Sequence, residues 1–540
     1  MALPLSGCTS LSDYVHNGFK VGPNYCPPPA PVEKQWIDAA DKRVVRADEP
    51  CFWWEVFNDP KLSQLVVCAY RQNLTLREAG FRVLQARARL NVVRGEFFPQ
   101  LQTANGSFQR IAVSENTANG GPPIRFFNQW DFGFNLAWEL DFWGRFRRAI
   151  AASEAQLQAS AADYDQVLVT LVGDVASNYV QARTLQERIR AARETAREQE
   201  WARDRIDQLF RGGQGQNMRV NLGQATSNYE QTLAAIHELE IALRQTTNRL
   251  CILLGIPPVE LERIPHMLGQ GPIPAAPPEV AAGIPADLLR RRPDVRRAER
   301  LAAAQAEFIG IAEAQLYPAF AINGTLGWQA ENLSDLFTSR SLAANVGPSF
   351  QWNILNYGRL INNVRLQDAR FRELVVAYQE TVLQALREVE DGLVVFVQAH
   401  GRERHLTESV KAATDAVVAN KELLNASKRV DFNQYAVIAQ NWGNQKDQLA
   451  QSHGEIAQGL IQVYRAMGGG WEVRCERGTN RNAPPPLPAE PPNPTHIEGI
   501  PAPEGRPNAE QLPSPPAELG VAPLPPVPEN TPPEKPRPGP

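Results

Sequence analysis

Two long stretches of the chain place hydrophobic residues at the spacing of an α-helix. Proline is absent from 124–256 and again from 351–482, although the chain contains 44 prolines. Helix-breaking residues are therefore missing where the helical period is found. The sequence predicts one helix over 145–211 and one over 359–428, each about 100 Å long at 1.5 Å per residue. The first stripe consists of Tyr164, Val167, Leu168, Leu171, Val172, Val175 and Tyr179, and the second of Tyr378, Thr381, Val382, Ala385, Leu386, Val389 and Leu393.

Before each predicted helix the hydrophobic period changes from that of a helix to that of a strand. Apolar residues alternate with small or polar ones from Phe132 to Leu140, and the same alternation returns from Leu342 to Ile354. We predict one hairpin over 100–142 and one over 319–355, with strands of about ten residues, which suits a tilted strand in a membrane. The alternative is a soluble hairpin that packs its apolar face on the helices.

The two halves of the chain repeat each other. Leu76 aligns with Val295 at an offset of 219 residues, whereas Trp138 aligns with Trp352 at an offset of 214. A duplication of this length indicates a unit that buries its apolar surface against copies of itself. The predicted organisation is an N-terminal segment over 1–50, a first repeat over 51–256, a linker over 257–286, a second repeat over 287–474 and a tail over 475–540.

Each predicted long helix ends in a turn that leads into a return helix, over 218–254 in the first copy and over 434–467 in the second. The first turn contains Gly212-Gly213-Gln214-Gly215, and glycine supplies the positive φ that such a turn needs. The second turn has no glycine. Asp431 and Asn433 can replace it, because both residue types tolerate the left-handed conformation and cap helices.

The number of strands limits how the hairpins can be used. Two hairpins give four strands, whereas the smallest membrane barrels have about eight. Open strand edges are not tolerated in lipid, because their backbone groups find no hydrogen-bond partners there. If these hairpins cross a membrane, several chains must share one barrel.

Charge and hydropathy exclude two classes of protein. The net charge of −4 and the pI near 6.1 provide no basic surface for nucleic acid. The mean hydropathy of −0.35 and the lack of a long apolar run exclude a transmembrane helix. The final segment holds 22 of the 44 prolines from 484 onward, and this composition predicts a disordered, partly polyproline tail.

The N-terminus carries a possible lipidation signal. Leu5-Ser6-Gly7-Cys8 has the small-residue pattern that precedes a lipidated cysteine in bacteria, so we predict lipidation at Cys8. Coincidence is the alternative, because no basic region and no apolar core precede the cysteine.

The chain lacks the constellations that support catalysis or metal binding. No pair among the six cysteines has C-x-x-C spacing, and the seven histidines are scattered. Glu388, Glu390 and Asp391 resemble paired carboxylates, but we interpret them as a solvated stripe on a long helix. Asn, Gln and Ser on the polar strand face suit a water-filled lumen. We therefore predict a passive conduit that is not an enzyme and has no cofactor and no metal site.

Several motifs together resemble the TolC-like outer membrane factors, in particular the lipidated NodT-type branch that serves RND efflux systems. The resemblance runs from about Val21 to Trp471, and the segment from Leu289 to Arg296 is highly specific. The matching motifs are Trp53-Trp54, Trp138-Glu139-Leu140-Asp141 with Gly144-Arg145, Leu253-Leu254-Gly255, Ile284 to Arg296, Gly358-Arg359 and Gly468-Gly469-Gly470-Trp471.

The resemblance implies a mainly α fold with a β-barrel portion. It implies a homotrimer whose 12-stranded outer-membrane β-barrel is continued by a periplasmic α-helical barrel. The implied partners are a periplasmic membrane-fusion adaptor, an inner-membrane RND-type pump and outer-membrane lipid, with no role for nucleic acid.

The resemblance also assigns roles to the two turns, which form the periplasmic tip of the channel in that family. Arg219 replaces a frequent aspartate of the family, and Ile438 replaces the usual acidic residue near the closed end of the pore. Carried over by position, the adaptor-docking tips are Phe210, Arg211, Gly212, Gly213, Gly215, Asn217, Arg429, Val430, Asp431 and Asn433. The residues expected at the pore constriction are Gln434, Ile438 and Asn441, and ordinary coiled-coil packing is the alternative role of Ile438.

The predicted function is the outer-membrane channel of a tripartite efflux system. It would passively conduct substrates from an inner-membrane pump and its adaptor to the exterior. Two alternatives remain at this point, a periplasmic coiled-coil scaffold and the outer-membrane channel of a type I protein secretion system.

Overall fold

The computed structural model describes residues 11–46, 52–114, 126–212, 217–261, 268–426 and 432–474. Several sequence predictions fall outside these residues. They concern the lipidation at Cys8, the turn residues Gly213, Gly215, Arg429, Val430 and Asp431, and the tail over 475–540.

The described residues form a mainly helical structure with one larger sheet. None of the described helices has an apolar stretch long enough to span a membrane. The elements in chain order are α1 (Leu11–His16), β1 (Val44–Val45), α2 (Pro60–Gln72), α3 (Leu74–Gly95), β2 (Leu101–Ala112), β3 (Phe126–Glu139), α4 (Arg145–Arg211), α5 (Asn217–Leu253), β4 (Val280–Ala281), α6 (Leu288–Arg291), α7 (Pro293–Ala314), β5 (Ala319–Ala330), β6 (Leu342–Gln351), α8 (Arg359–Ala426) and α9 (Phe432–Ala466).

The larger sheet is antiparallel with the strand order β2-β3-β5-β6. Its two hairpins, one from each repeat, join between β3 and β5, where Gly133 lies opposite Gly327. A Cβ on Gly327 would lie 2.8 Å from the carbonyl oxygen of Phe132, so glycine permits this close approach of the two repeats. Strand β6 ends at Gln351 and does not reach 355, because its partner β5 begins at Ala319, which pairs with Gln351.

Helix α4 is the centre of the helical layer, and its stripe forms the core. It packs against α2, α3, α5, α7 and α9. Leu168, Val175 and Tyr179 of the stripe are fully buried. Helices α2, α3 and α7 were not predicted from the hydrophobic pattern. In α3 the apolar residues lie on several faces, since Leu76 and Val83 are buried while Val92 is 65% exposed.

Helices α4 and α9 pack through small residues that recur every eleven positions. A Cβ on Gly443 would lie 2.6 Å from Thr195, and a Cβ on Gly454 would lie 2.3 Å from Thr184. Eleven residues further along each helix, Arg465 of α9 packs against Gly173 of α4. A Cβ on Gly173 would lie 2.8 Å from the arginine side chain. An eleven-residue period corresponds to about 3.67 residues per turn and does not impose the left-handed supercoil of a heptad repeat. The repeat therefore keeps the same faces of α4 and α9 together over several turns.

Arg292 joins the start of α7 to α8 and to the end of α9. Its guanidinium donates to the carbonyl oxygen of Ala466 at 2.6 Å and to Glu388 at 2.8 Å, and it also pairs with Asp294. Glu390 accepts a hydrogen bond from the backbone N–H of Ile37 at 2.9 Å. The predicted solvated stripe therefore holds in part: Asp391 is 61% exposed and Glu388 is 44% exposed, but α7 and the N-terminal segment supply partners to Glu388 and Glu390.

Candidate functional site

The two faces of the four-stranded sheet differ in chemistry. Residues that lie opposite one another across the strands point to the same face, so the observed register sorts every position. One face is apolar and includes Phe108, Trp130, Phe132, Phe134, Leu136, Trp138, Phe320, Ile322, Leu326, Trp328, Leu342, Val346 and Phe350. The other face is mainly polar and includes Thr103, Asn105, Ser107, Gln109, Gln129, Asp131, Asn135, Asn323, Thr325, Gln329, Asn345, Ser349 and Gln351.

Aromatic rings gather at both ends of the apolar face. At the loop end, the ring centres of Phe108 and Trp130 are 4.5 Å apart, and Phe132 lies 6.4 Å from Trp328. At the helix end, which the strands share with α3, α4, α7 and α8, Phe320 lies 6.4 Å from Phe350. Paired aromatic bands that flank an apolar zone are typical of strands that cross a membrane.

The polar face is hydrogen-bonded within itself. Gln129 donates to the carboxylate of Asp131 at 2.9 Å, and Ser107 donates to the same carboxylate at 3.3 Å. On the second hairpin, Asn323 donates to the hydroxyl of Ser349 at 2.7 Å. Amides, hydroxyls and one carboxylate form a surface that water can wet, as in the lumen of a channel.

The order in which the helices and strands pack leaves the chain with two lateral edges of different composition, which we call flanks. Contacts run in the order α5-α4-α9-α8 through the lower helical layer and α3-α4-α7-α8 next to the sheet. One flank is therefore made of β2, α3 and α5, and the other of β6 and α8. Both flanks expose apolar side chains. These are Phe81, Val220 and Ile241 on the first flank, and Val376, Leu383 and Val418 on the second.

The described ends of the helices that flank the two predicted turns lie side by side. Ile206 near the end of α4 and Phe432 at the start of α9 belong to one buried cluster, which also contains Ala225 of α5 and Val417 of α8. Among the predicted docking residues, Phe210 is 40% exposed, and Arg211, Gly212 and Asn433 are also exposed. The remaining described docking residue, Asn217, is the first residue of α5.

The three predicted constriction residues differ in burial. Gln434 and Asn441 are exposed, whereas Ile438 is partly buried and packs against the cluster that contains Tyr435 and Trp442. All three therefore lie within the first ten residues of α9, and Ile438 also contributes to the packing of this helix.

Ion pairs that the sequence did not reveal connect α4 with α8 and with α9. Lys421 of α8 donates to Glu198 of α4 at 2.7 Å, and Arg188 of α4 binds both carboxylate oxygens of Asp447 at 2.7 and 2.9 Å. Tyr435 lies beside Glu198, and burial raises the pKa of its hydroxyl. These partners come from helices far apart in sequence, so no local pattern identifies them.

A buried carboxylate anchors the last described residues to the first third of α4. Asp165 is fully buried, and it accepts from Arg474 at 3.0 Å and lies 3.7 Å from Arg296. Burial raises the pKa of Asp165 to about 6, and the two arginines only partly oppose this effect.

Comparisons with known proteins agree on one family. The sequence model of the outer membrane efflux protein family matches residues 65–256 and 284–469. SilC, a probable outer membrane lipoprotein of Salmonella typhimurium, is 28% identical over 481 residues, which cover 86% of this chain and 96% of SilC. Nodulation protein T of Rhizobium leguminosarum bv. viciae is 28% identical over 436 residues, which cover 78% of this chain and 86% of that protein. The solved structure of the outer-membrane channel OprN matches with a TM-score of 0.78 at 29% identity, covering 84% of this chain and 99% of that chain.

Proposed function

Because the chain belongs to the outer membrane efflux protein family, we propose that three copies form one channel that crosses the outer membrane and continues into the periplasm. The predicted family is confirmed, and the chain is the outer membrane channel component of an efflux system. Proteins of this family are channels rather than enzymes.

The observation that carries the trimeric channel is the sheet with one apolar face, one polar face and two outer strands. In lipid, the backbone groups along β2 and β6 need partners, and a second copy can supply them by pairing its β6 with the first copy's β2. The two flanks are unlike, so copies associate head to tail, and such an interface forms a ring when the rotation between copies closes. Closure is required here because an open barrel would leave strand edges in lipid. Three copies of four strands give the 12-stranded barrel that the family resemblance implies.

The channel and its copy number have separate tests. The purified full chain in lipid vesicles should resist extraction by carbonate or urea and should conduct ions across a planar bilayer. Release by carbonate together with no conductance would favour the scaffold alternative. Native mass spectrometry in detergent should give about three times the 59.9 kDa of one chain, apart from bound lipid, and a stable monomer or dimer in conducting samples would contradict the trimer.

We assign the contact with a periplasmic adaptor to the two turns. The described docking residues lie at the ends of α4, α5 and α9, which all contribute to the buried cluster around Ile206 and Phe432. A partner would therefore meet them on one compact surface. These residues are Phe210, Arg211, Gly212, Asn217 and Asn433. The inner-membrane partner would be an RND-type pump. Cross-linking from Phe210→Cys or Asn433→Cys to a purified adaptor should succeed. A matched cysteine at Arg190 should not cross-link, because this side chain is 67% exposed but lies about 21 residues before the end of α4, outside both flanks.

We also assign a lipid anchor to Cys8. The described chain begins with α1 beside the aromatic helix end of the sheet, since Tyr14 stacks on Phe142 at 6.4 Å. A lipid on a cysteine three residues before Leu11 would enter a membrane at that level. Mass spectrometry of protein extracted from native membranes should find the modified cysteine, and an unmodified Cys8 would contradict the anchor.

A further inference from the structure

The N-terminal segment is fixed to the residues that join β3 to α4, which we call the first junction (Leu140–Arg148). The hydroxyl of Tyr14 donates to the carbonyl oxygen of Phe142 at 2.7 Å. Arg147 donates to the carbonyl oxygens of Gly18 and Phe19 at 2.7 and 2.6 Å. A side chain from each of the two segments thus binds the backbone of the other segment.

Arg148 binds the same N-terminal segment from the interior of the protein. Its side chain is completely buried and donates to the carbonyl oxygens of Val21 at 2.6 Å and Gly22 at 2.8 Å, while Glu307 balances its charge at 2.7 Å. Gly310 makes room for it, because a Cβ there would lie 2.2 Å from the arginine side chain. The buried guanidinium of Arg148 would lose favourable hydrogen bonds if the backbone at Val21 and Gly22 moved away, so it holds that backbone in place.

The junction side chains that bind the N-terminal segment, Arg147 and Arg148, have no counterparts in the second repeat. The offset of 214 that aligns Trp138 with Trp352 places Leu355, Tyr357, Ile361 and Asn362 at the positions of Asp141, Trp143, Arg147 and Arg148. The hydrogen bond of the tryptophan is common to both repeats, since Trp138 donates to Phe97 at 3.3 Å and Trp352 to Leu316 at 2.9 Å. The two junctions therefore share their architecture and differ in the side chains that hold the N-terminal segment.

The held segment extends the aromatic band at the helix end of the sheet. Ring centres follow one another from Phe320 to Phe142 at 5.4 Å, from Phe142 to Tyr14 at 6.4 Å and from Tyr14 to Phe19 at 5.5 Å. The outer side of this extension is apolar and exposed, with Val15 at 50%, Phe142 at 51% and Phe19 at 55%. The apolar surface of the sheet thus continues without a break onto the N-terminal segment.

We propose that Tyr14–Phe19 is a membrane-contacting foot that the first junction holds in the headgroup region of the phospholipid bilayer. The proposal rests on the proposed function, because it requires the sheet to cross a membrane. Aromatic and aliphatic side chains at the edge of an apolar band bind the boundary between headgroups and acyl chains. The foot contacts lipid by itself, independently of a lipid on Cys8, and it fixes the depth of the sheet on one side of each copy.

The test places an environment-sensitive fluorophore on single introduced cysteines of the full chain in phosphatidylglycerol/phosphatidylethanolamine vesicles. The parent carries Cys8→Ser, so that no lipid tether brings the segment to the membrane, and Cys26→Ser, because Cys26 is exposed. Labelling of the parent without an introduced cysteine gives the background. The probe positions are Val15→Cys for the foot, Val346→Cys for the apolar face at 75% exposure, and Ile37→Cys for the same N-terminal segment at 84% exposure.

The three positions test the membrane contact of Tyr14–Phe19 separately from the membrane-spanning sheet. We expect quenchers attached near the lipid headgroup to reduce emission from position 15 about twofold, with no effect at position 37. Quenchers deep in the acyl chains should reduce emission at position 346. Quenching at 346 without quenching at 15 overturns the foot and favours a protein partner for that surface. No quenching at 346 overturns the membrane-spanning sheet itself.

A positioning variant checks that the first junction is responsible. Arg147→Gln removes the two bonds to Gly18 and Phe19 and also the ion pair with Asp141 at 2.8 Å. Asp141 keeps its hydrogen bonds from the backbone N–H groups of Phe146 and Arg147, so we expect the junction to stay folded. Quenching at position 15 should fall towards the value at position 37, while quenching at position 346 stays unchanged. Unchanged quenching at position 15 would show that the segment binds lipid without these bonds, which overturns the role assigned to the junction.

Discussion

Thr184 of α4 lies directly against Gly454 of α9, so closely that a Cβ on the glycine would lie 2.3 Å from the threonine hydroxyl. The hydroxyl itself donates to the carbonyl oxygen of Val180 at 2.9 Å, which leaves it little freedom to move away. This contact is one of a series that recurs every eleven residues along the two helices. The distance between α4 and α9 is therefore set by the absence of a side chain at position 454.

Gly454→Ala should destabilise the protein although alanine favours helices. We expect a loss of about 1–3 kcal/mol, because the added methyl group has to push α4 away from α9. Thermal or urea unfolding in detergent measures the change. The matched control is Gly401→Ala on α8, where a Cβ would meet nothing within 4 Å. It should be neutral or stabilising by up to about 1 kcal/mol, and equal losses at both positions would contradict the close packing.

Arg292→Lys should destabilise the join between α7, α8 and α9. Arginine binds Ala466, Glu388 and Asp294 at the same time, whereas a lysine ammonium cannot reproduce the planar fork. Because the group is nearly buried, we expect a loss of about 2–4 kcal/mol in the free energy of unfolding. Arg290→Lys, at an exposed neighbouring position, is the control and should change stability little. A loss of similar size in both variants would contradict the special position of Arg292.

Asp165 should make stability fall as the pH rises from about 4 to about 6. Burial raises its pKa from 3.8 to about 6 in the folded protein, so the folded state holds a proton that the unfolded chain has already released. The stabilisation is complete below pH 4 and is lost by the time the pH passes 6. The whole effect is on the order of 3 kcal/mol.

The measurement for Asp165 is the difference in unfolding free energy between the wild type and Asp165→Asn across this pH range. Asparagine cannot titrate, so other groups cancel in the difference. The wild type should lose stability relative to the variant between pH 4 and pH 6. A rising or flat difference would mean that Arg474 and Arg296 outweigh the effect of burial.

Ile438→Asp should raise the conductance of the reconstituted channel. An apolar constriction excludes water and ions, and a ring of carboxylates at the same level would admit cations. Single-channel current in planar bilayers measures the effect. Val437→Asp, at a neighbouring position that is 60% exposed, is the control and should leave the current unchanged. An unchanged current in Ile438→Asp would reject this residue as part of the constriction, provided that the variant remains folded despite its contact with the cluster around Trp442.

The mainly helical character and the family could be predicted from the sequence, and both are confirmed. Side-chain period is a local property, so the stripe from Tyr164 to Tyr179 and the alternation from Phe132 to Leu140 indicate helix and strand without knowledge of their neighbours. Helix α3 was missed because its apolar residues do not lie on one face, as buried Val83 and exposed Val92 show. The roles of the turns and of Ile438 stay predictions.

The sequence by itself determined the period of each element, the duplication and the unlike faces of the strands, because these depend only on the order of residues along the chain. The tertiary structure alone decided which residues meet across long separations. The order α5-α4-α9-α8 creates two unlike flanks, Glu388 is neutralised by Arg292, and Arg147 and Arg148 hold the N-terminal segment. These contacts depend on the packing of helices from different repeats, and a local pattern contains no information on such partners.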